Sequence, residues 1–256
     1  MDVMNLIESL FRWLHVFFGI LWIGLLYFFN WVNGYFAATM DAETKKKVVP
    51  ELMPRALYWF RWGAAFTWVT GVLLLLLVYY HAGAIFPGGV RNWTAPMLLM
   101  ILLVFIAPFI YDWLVSGPLK DPTALFWGGL GIAFVLLVLF DRFAGMSYRG
   151  TAIHFGALLG TTMAFNVWFR IWPSQRTIIT ATKNGTAPDA AIVALAGARS
   201  RHNTYMSVPL VMFMISNHYP TMFSNPMRDA CAAGVIVLGF FMVWLLYWKS
   251  GKVQGF

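Results

Sequence analysis

Charge and cysteine are what this 256-residue chain has least of: 11% of its residues are charged, and a single one, Cys231, is cysteine. Soluble globular domains carry about a quarter charged residues, so that class is excluded. One cysteine rules out an internal disulfide framework, and the lack of any Cys-x-x-Cys-His string rules out a covalent c-type haem. Any haem has to be held non-covalently. Also missing are His-Glu-x-x-His, a phosphate loop, Gly-x-Gly-x-x-Gly and Gly-x-Ser-x-Gly. No basic leader precedes the first apolar run, which is longer than the about 7–15 residues of a signal-peptide core, so the first helix is expected to stay in the protein.

What the chain has in excess is apolar and aromatic: 60% hydrophobic residues, 18% aromatic, thirteen Trp and ten Tyr. Apolar runs of the length needed to cross a bilayer fall at 5–33, 56–81, 94–115, 124–140, 149–171, 203–219 and 228–249. The expectation is an all-α, polytopic transmembrane bundle of about seven spans, forming one integral-membrane domain over residues 1–256. The sixth run is the weakest, because it contains Pro209 and ends at Asn217-His218-Tyr219-Pro220. The net charge of +8 sits in connectors, as the positive-inside rule requires, and is not read as a nucleic-acid surface. With the N-terminus outside, the inner segments carry twelve Lys and Arg against five outside, and Arg61 is left within a span. The charges thus favour an outer N-terminus and a cytoplasmic C-terminus, with 37–55 and 172–202 as cytoplasmic connectors.

An ionisable side chain in a hydrocarbon-length run is costly and is read first as a functional site. His15 is such a residue, within Arg12-Trp13-Leu14-His15-Val16-Phe17-Phe18-Gly19. In the same topology His154 lies a turn into the fifth span, while His81 and His218 close the second and sixth. Four histidines therefore fall in the outer half and only His202 at the cytoplasmic face. Neutral imidazoles on facing helices can hold a b-type haem, which makes His15, His154, His81 and His218 the candidate iron ligands. In this reading Gly19 leaves room for the macrocycle and Arg12 pairs with a propionate. The plainer reading keeps His15 as a histidine bonded to a neighbouring helix, and His81 and His218 as interfacial residues. Asp112 is expected at the interface, and Asn166 is expected to bond across the bundle.

Several strings resemble a known family. They are Arg12-Trp13-Leu14-His15 with Trp22-Ile23-Gly24; His154-x-Gly156-Ala157-x-x-Gly160-Thr161-x-Met163-x-x-Asn166-Val167-Trp168 through Pro173-x-Gln175-Arg176; and His202-Asn203-x-Tyr205-Met206-x-x-Pro209 through Ser216-Asn217-His218-Tyr219-Pro220. Together they resemble the membrane domain of the bacterial cytochrome c-linked urate hydroxylases, the urate oxidase N-terminal domain. The resemblance implies a bacterial inner-membrane protein that oxidises urate to 5-hydroxyisourate and passes electrons to a c-type cytochrome. Typical members add a span and a fused cytochrome c domain; no haem-attachment motif follows the seven spans here, so a separate cytochrome, or a larger membrane complex, is the expected partner. Two more departures are a short 37–57 segment and Phe60-Arg61-Trp62-Gly63, where a lysine and an acidic residue are expected. A non-catalytic haem-carrying or structural subunit is the alternative.

Overall fold

The computed structural model describes residues 3–253, and the first two and last three residues lie outside it. Among the described residues there is no strand, and seven long helices run up and down: α1 Val3–Thr39, α2 Ala42–His81, α3 Ala95–Ser116, α4 Pro122–Phe143, α5 Tyr148–Lys183, α6 Ala190–Met214 and α7 Arg228–Ser250. Six of them, all but α6, are long and apolar enough to cross a membrane.

The two segments expected as connectors are largely helical, which corrects the boundaries read from apolarity. α2 begins at Ala42, capped by Asp41, whose side chain accepts from the Thr44 amide at 2.8 Å. Those amide and hydroxyl hydrogen bonds hold the Asp41 carboxyl below the usual carboxylate range. Residues 172–183 extend α5, and α6 starts at Ala190 instead of 203. Hydropathy reports which part of a helix meets lipid, not where the helix ends. α6 is polar for a related reason. Its buried residues include Arg199, Asn203, Thr204 and Ser207, and it packs between α5 and α7, so those groups meet protein rather than hydrocarbon. At 25 residues it is about 37 Å long. It stops at Met214, and His218 lies beyond it in a short 3₁₀ turn, not at a helix end as expected.

Cross-helix bonds fix which ends lie together. At the lysine-rich end, which the charge count assigns to the cytoplasm, Gly185 lies beside the Lys46 side chain and Tyr35 Oη donates to the Tyr247 carbonyl. At the other end the Ser147 amide donates to Ile85 O and Asn217 Nδ2 to Tyr79 Oη. There Arg228 grips Asp141 through both carboxylate oxygens, at 3.1 and 2.8 Å, tying α7 to α4. Two of the groups used in these ties sit in π-helical stretches: Tyr79 in 75–81 and Asp141 in 139–143. A widened turn turns out side chains that an unbroken α-helix would not align in this way.

Two apolar clusters fill the bundle, one around Val104, Phe140, Phe155 and Phe213, the other around Trp22, Leu26, Phe60 and Val167. α2 packs tightly on the α1 backbone at Gly63, where an added Cβ would meet the Trp22 backbone nitrogen at 3.2 Å. Backbone cannot yield as a side-chain tip can. Gly63→Leu is therefore expected to separate the pair and destabilise the protein by about 2 kcal/mol, read as earlier loss of helicity on heating in detergent. An unchanged melting profile would contradict the packing described for this pair.

Candidate functional site

Each outer histidine has a definite environment. His15 lies against α2, with Nδ1 2.9 Å from the Thr67 carbonyl and 3.2 Å from Thr70 Oγ1. Thr70 already donates its hydroxyl hydrogen to the Phe66 carbonyl, so both groups facing His15 accept and Nδ1 carries the proton. The glycine that makes room for this ring is Gly71, where a Cβ would stand 3.0 Å from His15 Cε1. At Gly19, the glycine expected to make that room, a Cβ would meet only Thr67 at an ordinary 3.9 Å. Arg12, expected to await a propionate, is paired with Glu8 one turn away, Nε to Oε1 at 2.9 Å.

His154 is fully buried, and both of its nitrogens are engaged: Nδ1 with the Gly150 carbonyl at 2.7 Å, Nε2 with Tyr80 Oη at 3.0 Å. Tyr79, Tyr80 and Phe140 pack around the ring with centroids 5.6–6.3 Å away. His81 and His218 are exposed, and the His81 carbonyl accepts from Arg91. No hydrogen bond or ring contact joins any two of the four among the described residues. The outer group therefore does not fit a bis-histidine haem in this packing. His154 has both nitrogens engaged and is packed by three aromatic rings, and neither it nor His15 borders the large cavity described next.

A cavity of about 1550 Å³ lies toward the lysine-rich end among all seven helices. It exceeds the roughly 300–1,000 Å³ of ordinary small-molecule sites. Its wall follows helical spacing: Ala107, Tyr111 and Leu114 on α3, Phe155, Leu158 and Thr162 on α5, and Arg199, His202, Met206 and Pro209 on α6. Behind this wall Asp112 takes two arginines. Arg170 of α5 donates through Nε at 2.9 Å and Arg199 of α6 through Nη2 at 2.7 Å, with Ser116 Oγ a further partner of Arg199. The Arg199 guanidinium also lies over the Tyr111 ring, 5.2 Å from its centroid. Tyr111 Oη is 2.7 Å from His202 Nδ1, and Asn166 Nδ2 reaches both Tyr111 Oη and Asn203 Oδ1, at 3.2 and 2.8 Å.

Asn166 thus bonds across the bundle as expected. Asp112 is the centre of an ion-pair cluster and not merely an interfacial acid. Sequence reading counted Arg170 and Arg199 only as orientation charges and set His202 aside. The available signal was Arg199 and His202 three residues apart on one helical face, with a lone acid in the apolar run of α3 that needed a cation. Arg61, left within a span by the charge count, stacks 4.1 Å above Trp172 and lies 5.7 Å from the Tyr58 and Trp168 centroids. Aromatic faces stand in for water around that cation.

Fold and site together define a polytopic helical membrane protein with a partly open cavity bordered by cations and a histidine. The chain belongs to the urate oxidase N-terminal family, whose sequence profile matches residues 39–254. That match takes in α2 to α7 and leaves out most of α1, including Arg12, His15 and Gly19. No curated protein and no solved structure matches the chain.

Proposed function

We propose that the protein is a bacterial inner-membrane oxidoreductase of the urate-hydroxylase kind, converting urate to 5-hydroxyisourate with a separate c-type cytochrome as electron acceptor. Adding the oxygen of one water to urate releases two protons and two electrons, so each turnover would reduce two one-electron cytochromes. The observation that carries this reading is the family match over 39–254. The cavity supports it by offering room for a small molecule inside the bundle. No step is assigned to haem, because the outer histidines do not fit one.

The closure of His154 by protein partners favours a second reading, a non-catalytic subunit of a larger membrane complex in which the outer histidines only join helices. Purified protein in nanodiscs, supplied with urate and ferricytochrome c, separates the two. The enzyme reading expects urate-dependent reduction of two cytochromes per urate consumed. Urate left unconsumed in the presence of an acceptor would overturn it and leave the subunit reading.

A further inference from the structure

Among the described residues, three charged side chains border the cavity, Lys120, Arg199 and Arg201, and no carboxylate does. Arg201 is held over the Tyr247 ring, 5.4 Å from its centroid. Behind the wall, one Asp112 faces two arginines, Arg170 partly exposed and Arg199 buried, which leaves an excess of positive charge there. The Arg199 side chain is only 3% exposed, and its Nη1 has no hydrogen-bond partner among the described residues. Asp112 engages Nη2 alone, and a buried donor left without an acceptor is costly.

The tautomer of His202 follows from the hydrogen bonds behind it. Asn203 Nδ2 donates to the Met163 carbonyl at 3.0 Å, so Asn203 Oδ1 faces Asn166 and must accept. Asn166 therefore presents its amide hydrogens, one to Asn203 and one to Tyr111 Oη. With its oxygen accepting, Tyr111 directs its own hydrogen to His202 Nδ1, and the ring proton of His202 goes to Nε2. That nitrogen has no partner among the described residues, and His202 lines the cavity. The wall thus offers an imidazole N–H and a guanidinium one helical turn apart, with the rings of Phe29, Phe60, Phe126, Phe155 and Phe240 elsewhere around the space.

We propose that the lysine-rich end of this cavity binds a planar oxopurine monoanion, through the guanidinium of Arg199 and the Nε2–H of His202, with Tyr111 and Asn166 as positioning residues. The inference rests on the urate reading and gives it a location away from the outer histidines. An oxopurine anion supplies what the wall selects for: delocalised negative charge, several carbonyl acceptors and a flat face to lie against aromatic rings.

Equilibrium dialysis of radiolabelled urate against the protein in phosphatidylcholine nanodiscs tests it, with thermal melting as a folding control. Wild type is expected to bind urate, and neutral caffeine and inorganic phosphate are expected not to displace it. Arg199→Gln should weaken binding at least about tenfold, the loss expected for a hydrogen bond to a charged group. His202→Phe should do the same, while His202→Gln, which keeps a donor in place, should stay within about threefold of wild type. Tyr111→Phe frees the His202 tautomer and should make urate binding depend more steeply on pH. His202 holds no ion pair, so its variants remain informative if Arg199→Gln fails to fold. Wild-type affinity in His202→Phe would overturn the proposal. So would displacement of urate by phosphate, or by phosphatidylglycerol built into the disc, since the site would then belong to a phosphate or lipid headgroup. Urate bound with this variant pattern but never oxidised would sink the enzyme reading alone; urate oxidised with His202→Phe binding normally would sink the site alone.

Discussion

Asp112→Ala is expected to destabilise the bundle more than any other single change at its lysine-rich end. The substitution removes the one carboxylate shared by Arg170 and Arg199, whose nitrogens donate to it at 2.9 and 2.7 Å. Arg199 is then a buried cation with only Ser116 Oγ and the Tyr111 ring for company. Breaking a buried pair from one side costs about 3–5 kcal/mol. Because the Arg170 side chain is 37% exposed and can turn to solvent, about 3 kcal/mol is the expected loss. Chemical unfolding in detergent measures it, and the double variant Asp112→Ala with Arg199→Met should recover part of the loss, because the orphaned charge goes too. A strictly additive double variant would mean that the pair is not coupled as described.

His154→Leu is the second large effect, expected at about 2 kcal/mol. Leucine fills much of the same apolar space among Tyr79, Tyr80 and Phe140, but it removes the partner of the partly buried Tyr80 hydroxyl and the side-chain bond to the Gly150 carbonyl, which keeps only its helical bond. The same variant tests the haem fit. Since both nitrogens of His154 are already used, any visible-region absorption of the purified protein should persist unchanged in His154→Leu. Loss of a b-type difference spectrum in that variant would show that the ring leaves Tyr80 to bind iron.

The architecture was legible in the sequence because bilayer-spanning helices announce themselves by length and apolarity; the six long and apolar enough to cross a membrane were found in order, each run lying within its helix or one residue beyond it but stopping short of the polar ends of α2 and α5. What hydropathy missed were helical stretches with other neighbours. The start of α2 carries Lys45, Lys46 and Lys47 at the solvent edge, and α6 turns Arg199, Asn203 and Ser207 toward protein. Asn166 was legible because an amide deep in a span must find a partner. Arg12 and Gly19 were not. A guanidinium four residues from Glu8 closes on it locally, and no single sequence can say that the glycine beneath His15 comes from α2, as Gly71 does. The cavity cluster was hidden for a similar reason: Asp112, Arg170 and Arg199 come from three helices, and each by itself reads as an ordinary charge near a helix end.

The most direct test is a cryo-electron microscopy map of the protein in a phosphatidylcholine nanodisc with saturating urate. A flat density is expected within the cavity at the lysine-rich end, against the Arg199 guanidinium and His202 Nε2, with His154 still bonded to Tyr80. A urate density beside His15 in the opposite half, or a cavity filled by acyl chains with urate absent, would contradict that expectation.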